Sequence, residues 1–363
     1  MKFLVLSYNS VLFHDEVANA ICERMKFYGH ECNCRDLEEY SSETPDNEYV
    51  GIRFNKQTLV DYSDKLKSHN ARNVSSSFFF SVTYAKHIYE DFTANAYDAI
   101  ICTNIFSALA ASYVKNKYCR SVSVYVVSTE YTYCPFYDEL DVNRIFISSA
   151  AIKHEYTDRG ISEEKLVCSG IPVEYRYSNG MTKDEARMIL GLPCDRFICV
   201  IFADNDSFSN IYDFIDIILE RPLSGYDIIV YAGNNHKLRN GITERYYKYQ
   251  NICALGFTDK VHLYMKSADL IITNPNGISS TKVMVMRTPL LLINPKHGSE
   301  TYNFRSLIEL GVAIGGRDTQ EIVFGFESVL INEKVRDLLV YNQNRYINAS
   351  SADDICNSIF DDF

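Results

Sequence analysis

The residues best suited to chemistry lie between Gly256 and Asn303, where two apolar runs each end in a polar loop. Leu270-Ile271-Ile272-Thr273 runs into a Gly/Asn/Ser turn over 274–281. Pro289 to Ile293 runs into a loop carrying His297, Glu300 and Asn303. In open α/β sheets, ligands bind at loops on the carboxyl ends of the strands. Ser279, Ser280 and Thr281 offer hydroxyls at a predicted helix start, where free backbone N–H groups and the helix dipole favour a phosphate. Asn276 and Gly277 complete a turn suited to a nucleotide diphosphate. Ordinary turn chemistry accounts for any one of these residues. Their joint order points to binding.

Such loops need a sheet to hold them, and the chain shows strand–helix alternation in two halves. Phe3 to Leu6 reads as a strand, followed by a loop to His14 and a helix through Tyr28 that Gly29 caps. Glu31 to Cys34 begins the next strand. Asp98 to Thr103 and Val122 to Ser128 are continuously apolar and β-branched, as buried parallel strands are. Ile145 to Ser148 and Leu166 to Cys168 are shorter ones. Beyond a polar link, Thr182 and Glu185 form a capping box that starts a helix ending at Gly191. Phe197 to Ala203 and Asp227 to Ala232 open a second set of strands. A chain of 363 residues exceeds one ordinary core. The expected class is α/β, with a domain over 1–173, a linker over 174–182 and a second domain over 183–345.

The formal net charge of −11 argues against nucleic acid as a partner, because phosphate backbones need a basic surface. It also weakens a standing attachment to anionic membranes. No run approaches the roughly 18 apolar residues of a membrane span, and the apolar start is too short for a signal peptide. Eleven cysteines without a CxxC pair read as buried cytosolic thiols. His30-Glu31-Cys32-Asn33-Cys34 reads as a strand after a helix, since no second ligand pair accompanies it, and no metal is expected. Phe78-Phe79-Phe80 fits either a buried helix or an apolar lip touching a lipid acceptor.

The 256–303 stretch resembles the nucleotide-sugar half of one glycosyltransferase group. That group contains monogalactosyldiacylglycerol synthases, bacterial diacylglycerol glucosyltransferases and the peptidoglycan N-acetylglucosaminyltransferase. Gly256-Phe257-Thr258, Asp269, Pro275, Gly277, Ser280, Thr281, Pro289, Glu300 and Asn303 carry the likeness. A second block, 127–173, adds Thr129, Tyr131, Thr132, Pro135, Phe136, Gly160 and Gly170-Ile171-Pro172-Val173. The departures are Asn274 for Lys, Asn276 for the first Gly, Lys282 for Glu, Glu130 for Asp and Tyr137 for Trp. In addition, 204–209, with two Asp, replaces a Gly/Ser-rich loop.

The resemblance implies a GT-B fold, two Rossmann-like domains facing a cleft, with the 346–363 segment packing on the first domain. It implies metal-independent transfer, with no cofactor and with inversion, of a hexose or N-acetylhexosamine from a UDP-sugar to a lipid or glycan acceptor. His14 falls at the position of the general base, and Glu130 at that of a supporting carboxylate. Phe257 and Thr258 would meet the nucleotide base, while Asn276, Gly277, Ser279 and Ser280 would meet the diphosphate. Glu300 and Asn303 would hold hydroxyls of the sugar. Lys282 reverses the charge of a carboxylate that accepts ribose hydroxyls, because an ammonium only donates; it would pair with phosphate instead. The expected location is cytoplasmic, peripheral at the inner membrane face. Two readings stay open: a working enzyme, or an inactive pseudo-glycosyltransferase serving as a binding or regulatory subunit for a partner glycosyltransferase. A sugar-nucleotide epimerase on the same fold has no specific support in the residues.

Overall fold

Apolar, β-branched runs separated by amphipathic helices build two parallel sheets, each covered by its own helices. The computed structural model describes residues 1–8, 14–40, 74–203, 208, 210–295 and 298–363, leaving out the side chains at 14 and 74–83. The chain divides into two compact units, Met1–Tyr175 with Ala349–Phe363, and Arg176–Asn348. The loop before His14, the triple Phe at 78–80, most of the 204–209 loop and His297 lie outside the described residues or side chains.

The first unit contains β1 (Lys2–Ser7), α1 (His14–Phe27), β2 (Glu31–Asp36), α2 (Val74–Ala94), β3 (Ala99–Cys102) and α3 (Ile105–Lys117). It continues through β4 (Ser123–Val127), β5 (Arg144–Ile147), α4 (Lys153–Thr157) and β6 (Leu166–Cys168). Its six parallel strands lie in the order β2-β1-β3-β4-β5-β6, so the winding reverses between β1 and β3. The His30 to Cys34 run enters β2, with Cys32 opposite Phe3. Helix α5 (Tyr175–Ser178) begins at this unit's last residue before the crossing into the second.

The second unit contains α6 (Lys183–Leu190), β7 (Phe197–Phe202), α7 (Ile211–Glu220), β8 (Tyr226–Gly233), α8 (His236–Arg245) and β9 (Ile252–Gly256). It continues through α9 (Val261–Ser267), β10 (Leu270–Thr273), α10 (Gly277–Val285), β11 (Leu290–Ile293), α11 (Ser299–Glu309) and β12 (Ile314–Gly316). Two further helices, α12 (Thr319–Ile331) and α13 (Glu333–Tyr346), close it. The order is β12-β11-β10-β7-β8-β9, the arrangement of a dinucleotide-binding fold. Its reversal falls between β7 and β10, where such sheets take ligands. The last helix, α14 (Ser351–Phe360), belongs to the first unit. There Asp353 accepts from Arg24 and from the Tyr28 hydroxyl. Tyr125 reaches Asp362 at 2.9 Å, and Phe360 packs 4.5 Å from the His30 ring. Among the described residues, no helix is long and apolar enough to cross a membrane.

A buried ion pair ties the second sheet to its first helix. Arg187 on α6 is 2% exposed, and its Nε donates to Ser267 O at 2.9 Å. Its other nitrogens reach Cys194 O, Arg196 O and the Asp269 carboxylate. Asp269 also accepts from Lys183 Nζ at 2.6 Å and from the Ile198 amide at 2.8 Å. One carboxylate therefore joins α6, the start of β7 and the start of β10. The Thr182–Glu185 capping box fixes the N-terminal end of α6, next to Lys183. Asp269→Ala leaves Arg187 a buried, uncompensated charge, and should cost about 3–5 kcal/mol. A urea midpoint for the second unit equal to that of the wild type would contradict this.

Candidate functional site

At the second unit's reversal, β10 ends at Thr273 and the chain turns through Asn274, Pro275 and Asn276 into α10. Asn276 is the N-cap: its backbone is extended, and its side-chain oxygen accepts from Ser279 N at 3.0 Å. The Ser280 amide goes to Asn276 O. This leaves the Gly277 and Ile278 amides at the positive end of the helix, the groups an anion would take. Helix α11 clamps the same turn from the β11 side. Asn274 Nδ2 donates to Glu300 Oε1 at 2.9 Å, and Asn303 Nδ2 donates to Pro275 O at 3.1 Å. Asn303 is fully buried, so it holds the turn from below.

The hydroxyls of the turn divide by burial. Ser279 is half-buried, whereas Ser280 and Thr281 face the protein interior. Thr281 Oγ1 donates back to Gly277 O at 2.6 Å, which secures the first helical turn. Ser280 Oγ is buried with no hydrogen-bond partner among the described residues. Buried orphans are uncommon in native folds. A second one follows the neighbouring strand: Asn294, just past β11, is in the left-handed region at φ 44°, and its Nδ2 is buried without a partner among the described residues. The sequence marks Asn294 only by the Asn-Pro pair it forms with Pro295.

Phe257 and Thr258 stand apart from this cluster. They follow β9, three strand spacings from β10, or about 14 Å. The Phe257 ring is 72% exposed, open to stacking, and Thr258 Oγ1 accepts from Lys260 N at 3.1 Å. Lys282 points elsewhere again. It is buried, and its ammonium lies 4.9 Å from the centre of the Tyr177 ring. A cation over an aromatic face is stabilised by the ring quadrupole, so this position has a packing role within the second unit.

In the first unit, His14 opens α1 directly after β1, at that sheet's own reversal; its side chain lies outside the described residues. Glu130 follows β4 and is half-buried. Burial drives the Tyr137 hydroxyl well above its ordinary pKa, and the charges of Cys134 and Glu130 add to the effect. Glu130 therefore lies within electrostatic reach of Tyr137. The loop is anchored by Glu155 on α4, which accepts from Thr132 Oγ1 at 3.0 Å and Tyr133 N at 2.8 Å. The Tyr156 hydroxyl, also pushed well up by burial, contacts Ser128 Oγ at 3.1 Å. Asn104 Nδ2, Ser148 Oγ and Ser149 Oγ are buried without partners among the described residues. They follow β3 and β5, the two neighbours of β4. Polar groups thus collect at the carboxyl edge on both sides of the Glu130 loop. Among the described residues, no three His, Cys, Asp or Glu side chains are grouped to hold a metal.

Comparison with known proteins sets these loops in context. Residues 14–173 match the family described as monogalactosyldiacylglycerol (MGDG) synthase. A processive diacylglycerol beta-glucosyltransferase from Staphylococcus carnosus is 22% identical over 227 residues, which cover 62% of this chain and 57% of that protein. The chain thus spans little more than half the length of that relative. Among solved structures, MurG from Acinetobacter baumannii superposes with a TM-score of 0.65 at 12% identity, covering 99% of this chain and 100% of that one. A UDP-GlcNAc 2-epimerase from Neisseria meningitidis, bound to UDP-GlcNAc, gives 0.66 at 12% identity with the same coverage. Under half of the chain is therefore similar to the MGDG synthase family, and the whole chain is built as the two Rossmann-like domains of the GT-B fold.

The Lys282 environment yields a stability prediction. Lys282→Met keeps the aliphatic stem and loses the cation, at a cost of about 0.5–2 kcal/mol. Lys282→Glu sets a carboxylate against the negative face of Tyr177 and should cost about 3–5 kcal/mol, the scale of an uncompensated buried charge. Thermal unfolding separates the two variants; a Lys282→Glu protein as stable as the wild type would contradict this packing role.

Proposed function

We propose that this chain is an inverting, metal-independent glycosyltransferase that moves a hexose or N-acetylhexosamine from a UDP-sugar to a lipid or glycan acceptor. The observation that carries the reading is the start of α10. Its Gly277 and Ile278 amides remain after Asn276 caps the helix, at the point where the second sheet reverses. A leaving diphosphate gathers negative charge as the glycosidic bond breaks, and amides fixed in advance stabilise that charge without reorganising. The Ser279 hydroxyl extends the same cradle, with the Ser280 hydroxyl beneath it. Glu300 lies on the helix that clamps the turn, where its carboxylate would accept from hydroxyls of the sugar, and buried Asn303 holds the turn beneath it. Phe257 supplies an exposed ring for the uracil.

In this reading, His14 removes the proton from the acceptor hydroxyl and Glu130 supports it electrostatically. Both follow strands of the first unit, in the segment that matches the MGDG synthase family. The diacylglycerol substrate of the S. carnosus relative makes a lipid hydroxyl the first acceptor to try. Lys282 favours one rival, an inactive relative that keeps the donor site as a regulatory subunit, because it stands where the family places a ribose-binding carboxylate.

Titration calorimetry with UDP, GDP and dTDP tests the donor site, and UDP should bind tightest. Gly277→Asp should weaken UDP by about tenfold or more, since it adds bulk and like charge where the phosphate sits. Unchanged affinity in a folded Gly277→Asp chain would exclude this loop. His14→Ala should lower turnover by about 10²–10⁴-fold while leaving UDP affinity intact. A turnover within twofold of the wild type would remove His14 from the mechanism.

A further inference from the structure

Helix α1 lays Cys22 against Cys32 of β2, with the two sulfurs 2.6 Å apart. Both residues are buried, at 5% and 2% exposed. A disulfide holds its sulfurs about 2.05 Å apart, so roughly half an ångström separates this contact from a covalent bond. Two thiols in ordinary contact stand farther apart than this.

Further sulfur surrounds Cys22. Cys32 and Cys34 lie two residues apart in β2 and so face the same side of the strand. Burial, then the charge of Cys22, pushes the Cys34 thiol up to about 12. At Cys356, on α14, burial comes first, and the charges of Asp353 and Cys22 add to it. Cys22 therefore lies within electrostatic reach of three other thiols, and Cys32 is the one in bonding reach. Among the described residues no three His, Cys, Asp or Glu side chains are grouped to hold a metal, which leaves the pair the chemistry of sulfur with sulfur. The hydrogen bond to Cys22, then burial, pushes the Cys32 thiol upward. Thiolate is the reacting form of cysteine, so Cys32 rests as a thiol until an oxidant is present in excess. Burial of both sulfurs requires that oxidant to be small.

We propose that Cys22 and Cys32 are a modification site for peroxide, which converts them to a reversible disulfide that staples α1 to β2. One sulfur, as its thiolate, attacks a peroxide oxygen and becomes a sulfenic acid, and the departing hydroxide is protonated to water. The second sulfur then displaces the sulfenic hydroxyl as water and forms the S–S bond. Two thiols and one hydrogen peroxide thus give one disulfide and two waters, with two electrons passing from sulfur to oxygen. The closed loop contains the end of α1 and the turn at Gly29. The bond restrains how α1, the helix that opens at His14, sits on the sheet. The pair does not depend on the transfer reaction proposed above.

The test is peptide mapping of the full chain after treatment with hydrogen peroxide, with the remaining thiols blocked by iodoacetamide. Trypsin cuts after Arg24, Lys26 and Arg35, so Cys22 leaves on peptide 3–24, and Cys32 with Cys34 on peptide 27–35. Oxidised wild type should show these two peptides joined, two hydrogens lighter than their sum, and dithiothreitol should part them. Cys34→Ser should keep the link and Cys32→Ser should abolish it. The link should also raise the midpoint of thermal unfolding by several degrees, because it constrains the unfolded chain. Cys22 and Cys32 both alkylated beside an oxidised Cys168, which is exposed, would overturn the proposal. So would a link from Cys22 to Cys34 or Cys356, a sulfinic acid on Cys32, or a link that leaves the midpoint unchanged or lowers it. The wild-type map decides the matter even where Cys32→Ser fails to fold.

Discussion

The Asp269 carboxylate fixes the frame of the second unit. Paired with buried Arg187, it also takes Lys183 and the Ile198 amide of β7. It stands one residue before β10, whose far end carries the Asn276 turn. An ion pair this buried adds little net stability over a well-packed apolar substitute, but its loss leaves a charge stranded. What it contributes is register. β10 lies beside β7 with Ile271 opposite Val200, and the two loops at the reversal inherit that alignment. A likeness to glycosyltransferases at Asp269 therefore reflects architecture, whereas the proposed donor loop lies at the other end of the strand.

The first unit uses the same device. Glu155 holds the Thr132–Tyr133 segment by two hydrogen bonds, and a cluster of buried tyrosines backs it. Tyr133 and Tyr156 pack edge to face at 5.1 Å, and Tyr137 lies 5.6 Å from Tyr156. This part of the aromatic content is core packing. Glu130 is left on a loop whose backbone is fixed by other residues, as a supporting carboxylate in a site requires.

Strand–helix alternation was legible because both sheets are parallel and buried, and such strands read as unbroken apolar runs. The capping box at Thr182 and the Gly29 and Gly191 helix ends were legible as well, since local hydrogen bonding decides them. The Asn276 turn could be placed at a strand's end from sequence order alone. Other features depend on contacts distant in sequence and left no local trace. Nothing near Arg187 in sequence marks it for burial; Ser267 and Asp269 enclose it. The sequence gives no sign that Tyr177 lies against Lys282. Ser280, Asn294 and Asn104 become informative only once burial shows their polar atoms unpartnered among the described residues.

The central claim is that a sugar leaves UDP for an acceptor hydroxyl with inversion at the anomeric carbon. The most direct measurement incubates the chain with an α-linked UDP-hexose and diacylglycerol in detergent micelles, then reads the product by proton NMR. The account predicts acceptor-dependent UDP release and a product whose anomeric coupling constant is that of a β-glycoside. Bound UDP-sugar that stays intact, is epimerised, or yields an α-glycoside would contradict it.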